Sequence, residues 1–440
     1  MGNLAPLFGE IVKLSMVVAG DSKATRYPFV VTSFVSVMSV FSAVPLAPAN
    51  PILGLAQDCQ EDTFPDKINM TLGAYRSEEG SPVVLPSVRA AEGKIMDSNM
   101  NHEYLKQDGL ADFTSACQVL MFGEGASVLA KKQIFTIQSI SGTGAIRLSL
   151  SLMKDFMPNI EGIYLPEVTW GNHPAMVKDV GLALNTYRYL DEAGTGLNFA
   201  GMLEDIKNIP EGHAVLLHAV AHNPTGVDPT NEDWQDLLKV VQEKKLFVMF
   251  DSAYQGFVSG NPNVDAYAVR LFADAGVEML VAVSFSKNFG LYGERTGCLH
   301  VVSSDDACLK SCASQLRAIS RVLYSTCPSF GARIVSTILN DPASKAQWEA
   351  DCKGMADRLN EVRQLLHTQL GEADVKGTWD HVIKQRGMFS YTGLSKDTVA
   401  RLRSEYHIYM LTDGRISLAG LNKGNTGRFV QALKEILGTN

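Results

Sequence analysis

Residues 279–286 read MLVAVSFS, a continuous apolar run of strand length, and Lys287 follows the run directly. Two other segments are also apolar runs of strand length, AVLLHAV at 214–220 and LFVMFDSAY at 246–254. Apolar residues without alternation indicate strands whose two faces are both covered, as in a parallel sheet flanked by helices. Further elements of this kind are the strand candidates IFTIQSI (134–140) and EGIYLPE (161–167) and the helical pattern NEDWQDLLKVVQEKK (231–245). The sequence therefore predicts a large α/β domain with a mostly parallel sheet.

The pattern of helical and strand segments in the sequence changes after about residue 340. A helical segment at 346–369 is followed by the short strand candidates GMFSYTG, HIYML and RISLAG, which is an α+β pattern. We expect this tail to form a smaller domain together with a segment near the N-terminus. The predicted division is 1–37 as an N-terminal extension, 38–80 as an N-terminal arm and part of the small domain, 81–340 as the large domain, and 341–440 as the small domain.

Composition narrows the class of protein. The 440 residues are 46% hydrophobic and 20% charged, which is typical of a soluble globular protein. Lys and Arg number 39 against 47 Asp and Glu, a net charge of −8, so no basic excess favours a nucleic-acid partner. The seven cysteines contain no CxxC pair, so we expect neither a metal site nor a disulfide framework, and a reducing compartment is the simplest interpretation.

The N-terminal region has the outline of a targeting segment. No Asp, Glu, Lys or Arg occurs between Tyr27 and Gln57, and Lys23 and Arg26 precede the apolar stretch. That stretch is rich in Ser and shorter than the roughly 20 residues that a spanning helix needs, so membrane association is disfavoured and stays an alternative. A structural extension is the favoured interpretation, with a cytoplasmic location, while organelle targeting by residues 1–37 stays an alternative.

Polar side chains follow three of the apolar runs at the point where each run ends. Asn223 comes after the first, Asp251 and Tyr254 after the second, and Lys287 after the third. Ligands bind outside the carboxyl ends of the strands in open α/β sheets. The strand candidate at 134–140 is followed by SGTGA, a small-residue loop that runs into a predicted helix at 146–156 and offers backbone N–H groups to an anion.

Each of these features alone is weak, because a lysine at a strand end is usually a solvated surface residue and an aspartate there is usually a turn former. Together they suit pyridoxal phosphate: the lysine forms a Schiff base, and a carboxylate keeps the pyridine nitrogen protonated. Donors to the phenolic oxygen and an anion site for the phosphate complete the set. A dinucleotide cofactor is disfavoured, because Arg147 stands where the third glycine of that fingerprint is required.

The sequence resembles the eukaryotic-type aspartate aminotransferases, enzymes of pyridoxal phosphate fold type I, over about residues 38–440. The resemblance is carried by long motifs in order: LGAYR (72–76), HEYL (102–105), SGTGA (141–145), TWGNHPAM (169–176), AHNPTGVDP (221–229), FDSAYQGF (250–257), SFSKNFGLYGER (284–295) and DGRISLAG (413–420).

The resemblance implies a role for each matching residue. Lys287, Asp251 and Tyr254 would be catalytic, with Lys287 as the Schiff-base lysine and His173 behind Asp251. The cofactor-binding residues would be Tyr104, Ser141, Gly142, Thr143, Trp170, Asn223, Asp251, Tyr254, Ser284, Lys287 and Arg295. The substrate-binding residues would be Gly73, Trp170, Asn223, Arg321 and Arg415. Tyr104 and Arg321 would serve the neighbouring subunit, which implies a homodimer with shared active sites.

The implied activity is reversible transfer of the amino group between L-aspartate with 2-oxoglutarate and oxaloacetate with L-glutamate. An aminotransferase of aromatic or kynurenine type is the alternative, because Thr326 stands close to Arg321 where the family usually has Asn. The presence of Arg321 favours the dicarboxylic substrates, because its guanidinium suits a second carboxylate that an aromatic substrate lacks. A non-catalytic paralogue is disfavoured by the presence of both Lys287 and Asp251.

Overall fold

The computed structural model describes residues 39–47, 51–71 and 73–440. The predicted extension 1–37 lies outside the described residues. Residues 39–47 belong to a unit of their own, in which backbone hydrogen bonds from Ser42 to Ser39 and from Val44 to Phe41 close a turn. The chain from Asn50 to Asn440 forms the second unit, which holds every element below.

Eleven strands occur in the described residues. In chain order they are β1 (Ile68–Asn69), β2 (Ile134–Ile140), β3 (Gly162–Pro166), β4 (Ala183–Tyr187), β5 (Ala214–His218), β6 (Phe247–Ser252), β7 (Met279–Ser284), β8 (Thr296–Val302), β9 (Phe389–Tyr391), β10 (Ile408–Tyr409) and β11 (Arg415–Ser417).

Sixteen α-helices accompany them in the described residues. They are α1 (Pro51–Glu61), α2 (Pro86–Asp97), α3 (Ala111–Phe122), α4 (Ser127–Ala130), α5 (Ser141–Phe156), α6 (Asn172–Val180), α7 (Phe199–Lys207), α8 (Asn231–Lys244), α9 (Pro262–Asp265), α10 (Tyr267–Asp274), α11 (Asp306–Tyr324), α12 (Phe330–Leu339), α13 (Pro342–Glu372), α14 (His381–Lys384), α15 (Lys396–Tyr406) and α16 (Thr426–Leu437). None of these helices is both long and apolar enough to cross a membrane.

Seven strands form the central sheet, in the order β2-β8-β7-β6-β5-β3-β4. Only β8 runs antiparallel to its neighbours, and the other neighbouring pairs are parallel. The predicted α/β class with a mostly parallel sheet flanked by helices is therefore confirmed. Five strands of this sheet, β2, β3, β5, β6 and β7, lie within the apolar runs and strand candidates of the large domain, whereas β4 and β8 were not predicted.

Both faces of the sheet are buried, which explains the unbroken apolar runs. In β6, Val248 and Phe250 pack into one hydrophobic cluster, and Met249 between them packs into a second cluster on the opposite face. Successive side chains of a strand point to opposite faces, so a strand covered on both sides needs apolar residues at every position. Burying a side chain such as Phe250 contributes about 1.5–3 kcal/mol to the free energy of unfolding, relative to leaving it exposed to water.

Two smaller sheets lie outside the central one, and the first of them joins the two ends of the chain. Ile68 of β1 pairs in parallel with Ile408 of β10, and Arg415 of β11 pairs antiparallel with Tyr391 of β9. The long helix α13 begins at Pro342, with Asp341 accepting a hydrogen bond from the backbone N–H of Ser344 as its N-cap. N- and C-terminal segments thus share a small α+β region, as expected, while the boundaries at 80 and 340 stay predictions.

Candidate active site

The site lies at the carboxyl ends of β5, β6 and β7. Asp251 belongs to β6, where it pairs in register with His218 of β5 and Ala282 of β7. Asn223 follows β5 and Lys287 follows β7. The parallel register brings side chains that are far apart in sequence to one edge of the sheet, which is where such sheets bind ligands.

Asp251 carries its charge beside a buried histidine. Oδ2 of Asp251 lies 3.2 Å from Nε2 of His173, whose side chain is fully buried. Burial by itself would raise the pKa of Asp251, but the contacts with His173, and more weakly the charges of His218 and Lys287, hold that pKa below its usual value. The carboxylate is therefore ionised at neutral pH, as a partner for a protonated pyridine nitrogen must be.

A directed chain of hydrogen bonds sets the orientation of His173. The backbone N–H of Asn223 donates to Nδ1 of His218 at 3.4 Å, and Nε2 of His218 lies 3.0 Å from Oγ1 of Thr169. The same oxygen lies 2.8 Å from Nδ1 of His173. A backbone amide can only donate, so His218 carries its proton on Nε2 and Thr169 donates to Nδ1 of His173. The proton of His173 is then on Nε2, the nitrogen that lies 3.2 Å from Asp251.

Burial strongly lowers the pKa of His218, which keeps this ring neutral and the direction of the chain fixed. The ligand atoms of His173, His218 and Asp251 lie within 4.8 Å of one another, a separation that a metal ion could bridge. Thr169 already engages one nitrogen of each ring, so hydrogen bonds through Thr169 join the two histidines, and His173 approaches Asp251 at 3.2 Å.

Lys287 lies above an aromatic ring at the centre of the site. Its Nζ is 5.0 Å from the ring centroid of Tyr254, whose hydroxyl lies 3.5 Å from Nδ2 of Asn223. Burial lowers the pKa of Lys287, and the charge of Arg295 adds to this effect, while Asp251 opposes it. Burial also raises the pKa of Tyr254, so its hydroxyl stays protonated and can donate a hydrogen bond.

Small and hydroxylated residues form a cradle at the N-terminus of α5. The Oγ of Ser141 lies 3.0 Å from that of Ser284 and 2.9 Å from that of Ser286. A Cβ on Gly142 would come within 3.0 Å of the Cβ of Ser284, so only glycine fits without displacement. Thr143 is half-buried in the same turn. Helix N-termini with free N–H groups bind anions.

SGTGA differs from expectation in one respect. The sequence predicts a loop before a helix at 146–156, but α5 begins at Ser141, so these residues form the first helical turn. Ser141 itself has a φ of 58°, and its N–H donates to the carbonyl of Arg295, which also has a positive φ, 52°. This bond joins α5 to the segment that carries Arg295.

Arg415 forms the outer wall of the site. Its side chain is buried, with one terminal nitrogen donating to the carbonyl of Thr71 at 2.9 Å and the other to Oδ1 of Asn223 at 3.4 Å. The guanidinium carbon lies 4.4 Å from the ring centroid of Phe389. Among the described residues, Nε of Arg415 has no hydrogen-bond partner although it is buried. A buried donor of this kind is suited to an anionic ligand.

Trp170 and Gly73 also border the site. Trp170 is half-buried and meets His173 edge to face, with ring centroids 5.2 Å apart. A Cβ on Gly73 would lie 2.7 Å from Cζ of Phe389, the ring beneath Arg415. Any other residue at position 73 would therefore collide with the ring of Phe389 unless that ring moved.

Tyr104 and Arg321 lie apart from this group. Tyr104 is 84% exposed, and Arg321 is exposed near the end of α11. No hydrogen bond or ion pair joins either side chain to the site within the described part of the chain. From the sequence, no role was assigned to Thr169, His218, Ser286 and Phe389, which contact the site residues through their side chains. The available signal was the place of His218 and Ser286 at strand ends.

These residues fit pyridoxal phosphate. Lys287 offers an amine of lowered pKa, Asp251 an ionised carboxylate, and Asn223 and Tyr254 offer donors. The cradle at Ser141 and Gly142, where a Cβ would collide, supplies the anion site. The assigned roles of the individual residues stay predictions.

Comparison with known proteins agrees with this arrangement. The family profile of "Aminotransferase class I and II" matches residues 65–433. A cytoplasmic aspartate aminotransferase of Oryza sativa subsp. japonica is 46% identical over 385 residues, 87% of this chain and 94% of that relative. A mitochondrial aspartate aminotransferase of Gallus gallus is 43% identical over 398 residues, 90% of this chain and 94% of that relative.

Solved structures of two aminotransferases superpose closely on this chain. A cytoplasmic aspartate aminotransferase of Saccharomyces cerevisiae superposes with a TM-score of 0.88 at 38% identity, covering 90% of this chain and 98% of that chain. An aromatic-amino-acid aminotransferase of Burkholderia pseudomallei, covalently bound to pyridoxal phosphate, superposes with a TM-score of 0.88 at 37% identity. The match covers 91% of this chain and 100% of that chain. The family, enzyme class and cofactor expected from the sequence are confirmed. The chain belongs to the class I and II aminotransferases, which depend on pyridoxal phosphate.

Proposed function

We propose that the protein is an aspartate aminotransferase, which moves the amino group between L-aspartate with 2-oxoglutarate and oxaloacetate with L-glutamate. The observation that carries the amino-acid part of the proposal is the buried guanidinium of Arg415, whose Nε is unpartnered among the described residues. It lies beside Asn223 at the edge that Lys287 and Asp251 share. A guanidinium binds a carboxylate through two parallel hydrogen bonds, so Arg415 would hold the α-carboxylate of an amino acid.

Bound pyridoxal phosphate supplies an electron sink for breaking the Cα–H bond of the substrate. The chain's own residues arrange that step. Asp251 would face the ring nitrogen as an anion, because the contact with His173 holds the pKa of this buried carboxylate below its usual value. Lys287 accepts and returns the proton at its Nζ, and the lowered pKa makes its neutral form accessible nearer to physiological pH than that of an exposed lysine.

A dicarboxylic substrate needs a second cation. Arg321 is exposed on a single chain and is joined to no site residue in the described part of the molecule. We infer that it reaches the site of a second copy of the chain in a homodimer, where it would bind the side-chain carboxylate of the substrate. The exposed ring of Tyr104 would likewise serve the partner's cofactor.

An aromatic specificity is the second candidate. Two observations favour it: an aromatic-amino-acid aminotransferase is among the similar structures, at 37% identity, and Thr326 lies five residues after Arg321. A monocarboxylic aromatic substrate has no use for a second guanidinium.

Paired substitutions separate the two candidates. Arg415→Lys keeps the charge but loses the bidentate geometry, so it should weaken aspartate and phenylalanine alike. Arg321→Ala should lower kcat/KM for aspartate by about tenfold to a hundredfold, with little change for phenylalanine. Measurement of kcat/KM for both amino acids checks this. A wild-type preference for phenylalanine, or equal losses for both substrates in Arg321→Ala, would contradict the dicarboxylate assignment.

We propose a cytoplasmic location, although the relatives include cytoplasmic and mitochondrial proteins. Residues 1–37 fused to a fluorescent protein provide the test. Diffuse fluorescence is expected, and organelle staining would assign a targeting role to this segment.

A further inference from the structure

The stretch between α2 and α3, which carries Tyr104, is fixed at both of its ends. At the first end, a terminal nitrogen of Arg333 in α12 donates to the carbonyl of Asn101 at 3.0 Å. At the other end, Nε and a terminal nitrogen of Arg317 in α11 donate to the two carboxylate oxygens of Asp108, at 2.5 Å and 2.8 Å. The exposed ring of Tyr104 lies between these two anchors. Its position therefore depends on contacts with α11 and α12.

The contact between Asp108 and Arg317 joins two segments that are 209 positions apart in the sequence. Both side chains are partly buried, at 34% and 40% exposure, and the guanidinium carbon lies 5.4 Å from the ring centroid of Phe135. Two parallel hydrogen bonds fix the relative orientation of a guanidinium and a carboxylate, which a single contact does not. Arg321 lies four residues after Arg317, on the same face of α11, so this contact holds the stretch with Tyr104 against the part of the helix that carries Arg321.

A buried glutamine joins the same two segments. Gln138 of β2 is 1% exposed, and its backbone N–H donates to the carbonyl of Asp108 at 2.9 Å. Its side-chain oxygen accepts the N–H of Leu110 at 3.1 Å, and its side-chain nitrogen donates to the carbonyl of Pro328 at 2.8 Å. Pro328 follows the end of α11. One residue of the central sheet thus holds the chain after Tyr104 and the chain after Arg321.

We propose that Asp108 and Arg317 are positioning residues that hold Tyr104 and Arg321 at a fixed spacing, so that both enter the partner's active site as one preassembled unit. The proposal rests on the shared active sites proposed above. Asp108 and Arg317 act through Tyr104 and Arg321 and not on the substrate itself. Side chains that are already ordered before two subunits meet lose less conformational freedom when the site is completed.

Mixed dimers with a single working site provide the test. One chain, the donor, carries Lys287→Ala and cannot turn over substrate at its own site. The other chain, the acceptor, keeps Lys287, and its site receives Tyr104 and Arg321 from the donor. The two full-length chains carry different tags, and the mixed dimer is purified with its cofactor bound.

Asp108→Asn in the donor removes the charge of the pair at nearly constant shape. We expect KM for aspartate at the working site to rise by about twofold to tenfold, with a smaller change in kcat. The rise should be smaller for phenylalanine, which has no second carboxylate. The same substitution in the acceptor should leave these constants unchanged, because the acceptor's own Tyr104 and Arg321 serve the inactive site.

A double-mutant cycle in the donor tests whether the two residues act as a pair. Arg317→Gln should raise KM for aspartate in the same direction as Asp108→Asn. The double variant should then lose little more than Arg317→Gln alone, since each single change already breaks the contact. Effects that add fully would mean that the two side chains act separately, which contradicts the proposal.

Release of the cofactor gives a readout that does not depend on turnover. Because Tyr104 would serve the partner's cofactor, the cofactor-loaded Asp108→Asn homodimer should lose pyridoxal phosphate about twofold to tenfold faster than the wild type on dialysis. Absorbance of the retained cofactor measures this loss. An unchanged rate would overturn the part of the proposal that concerns Tyr104.

Asp306→Asn in the donor is the matched control, because the ion pair of Asp306 with Lys310 lies within α11 itself. It should change neither KM nor the loss of cofactor. Arg321→Ala in the donor is the control for the sharing of sites, and it should lower aspartate turnover strongly.

The controls separate failure of this proposal from failure of the shared sites. No effect of donor Arg321→Ala would overturn the shared sites and the positioning role together. An effect of donor Arg321→Ala without one of donor Asp108→Asn would overturn the positioning role alone. Equal effects of Asp108→Asn from donor and acceptor would assign the pair to general stability of the fold and would also overturn it.

Discussion

Asp251 receives its ionised state from a chain of groups that begins at a backbone amide. Asn223, His218, Thr169 and His173 follow one another at hydrogen-bonding distances, and each group fixes the orientation of the next. The charge of one carboxylate is thus maintained by a rigid edge of the sheet.

Asp251→Asn tests that charge. Asparagine has the same shape but no negative charge, so it cannot hold a pyridine nitrogen protonated. We expect kcat to fall by about a hundredfold or more, with a smaller change in KM. Steady-state kinetics with aspartate measures both constants. A variant with near-normal kcat would mean that the ring nitrogen has another partner.

His222 makes the stability of the protein dependent on acid. Its ring stacks on Tyr189 at 4.0 Å and lies 4.1 Å from that of His218, and burial lowers the pKa of both histidines strongly. Below a pH of about 6.5 the unfolded chain binds protons that the folded chain cannot, so the free energy of unfolding falls as the pH falls.

We expect His222→Phe, which keeps a ring against Tyr189, to remove about 1.4 kcal/mol per pH unit from that slope well below the unfolded pKa. Denaturant unfolding between acidic and neutral pH measures the slope for both proteins. Equal slopes would show that His222 is protonated in the folded state.

Sequence patterns were informative where one residue follows one strand. Lys287, Asp251 and Asn223 were found in that way, because the carboxyl end of a parallel strand is readable from an apolar run. Thr169 and His218 were not found, since their function depends on a contact between side chains 49 positions apart. Arg415 was assigned through family resemblance, because its partner Thr71 lies 344 positions away.

At the scale of elements, β8 is the strand that sequence reasoning missed and the site depends on. It lies antiparallel between β2 and β7, directly after Arg295. Its sequence, TGCLHVV, interrupts the apolar run with a glycine and a histidine, so it has no continuous apolar signal. The strand β4, ALNTY, lies at the sheet edge with several partly exposed residues, and a short edge strand has little pattern to detect.

Gly297→Ala tests how closely β8 packs on the start of α5. A Cβ there would lie 2.5 Å from the carbonyl oxygen of Val283 and 2.6 Å from the backbone of Ser141, so strand and cradle must separate. We expect a loss of about 1–3 kcal/mol or more in the free energy of unfolding, and weaker binding of the cofactor.

Gly293→Ala is the matched control, because its Cβ would meet nothing within 4 Å. It should change the free energy of unfolding by no more than about 1 kcal/mol. Denaturant titration of both variants makes the comparison, and equal losses would mean that the space around Gly297 relaxes at little cost.

At the scale of the whole molecule, the proposed dimer predicts complementation between two inactive chains. When Lys287→Ala and Arg321→Ala proteins exchange subunits, one site of the mixed dimer receives both defects. The other has an intact Lys287 of its own and an intact Arg321 from its partner. We expect that site to recover aspartate turnover, up to about half of the activity of one wild-type dimer.

Subunit exchange is followed with chains that carry different affinity tags, and turnover is measured on the purified mixed species. Sites complete within one chain would give no recovery, because each chain would then keep its own defect. Mixed dimers without restored turnover would therefore contradict the sharing of Arg321.

The hydrogen bond between Arg415 and the carbonyl of Thr71 also limits when this part of the fold can form during synthesis of the chain. These two residues are 344 positions apart, and β1 likewise waits for β10 as its neighbour. At ordinary rates of translation, roughly 20 to 70 seconds pass between the synthesis of one partner and the other. Ile68 and Met70, buried in the finished protein, spend that interval without their final neighbours. The bond between Arg415 and Thr71 can therefore form only after Arg415 has left the ribosome, and until then the exposed early strand is a segment that a chaperone can bind.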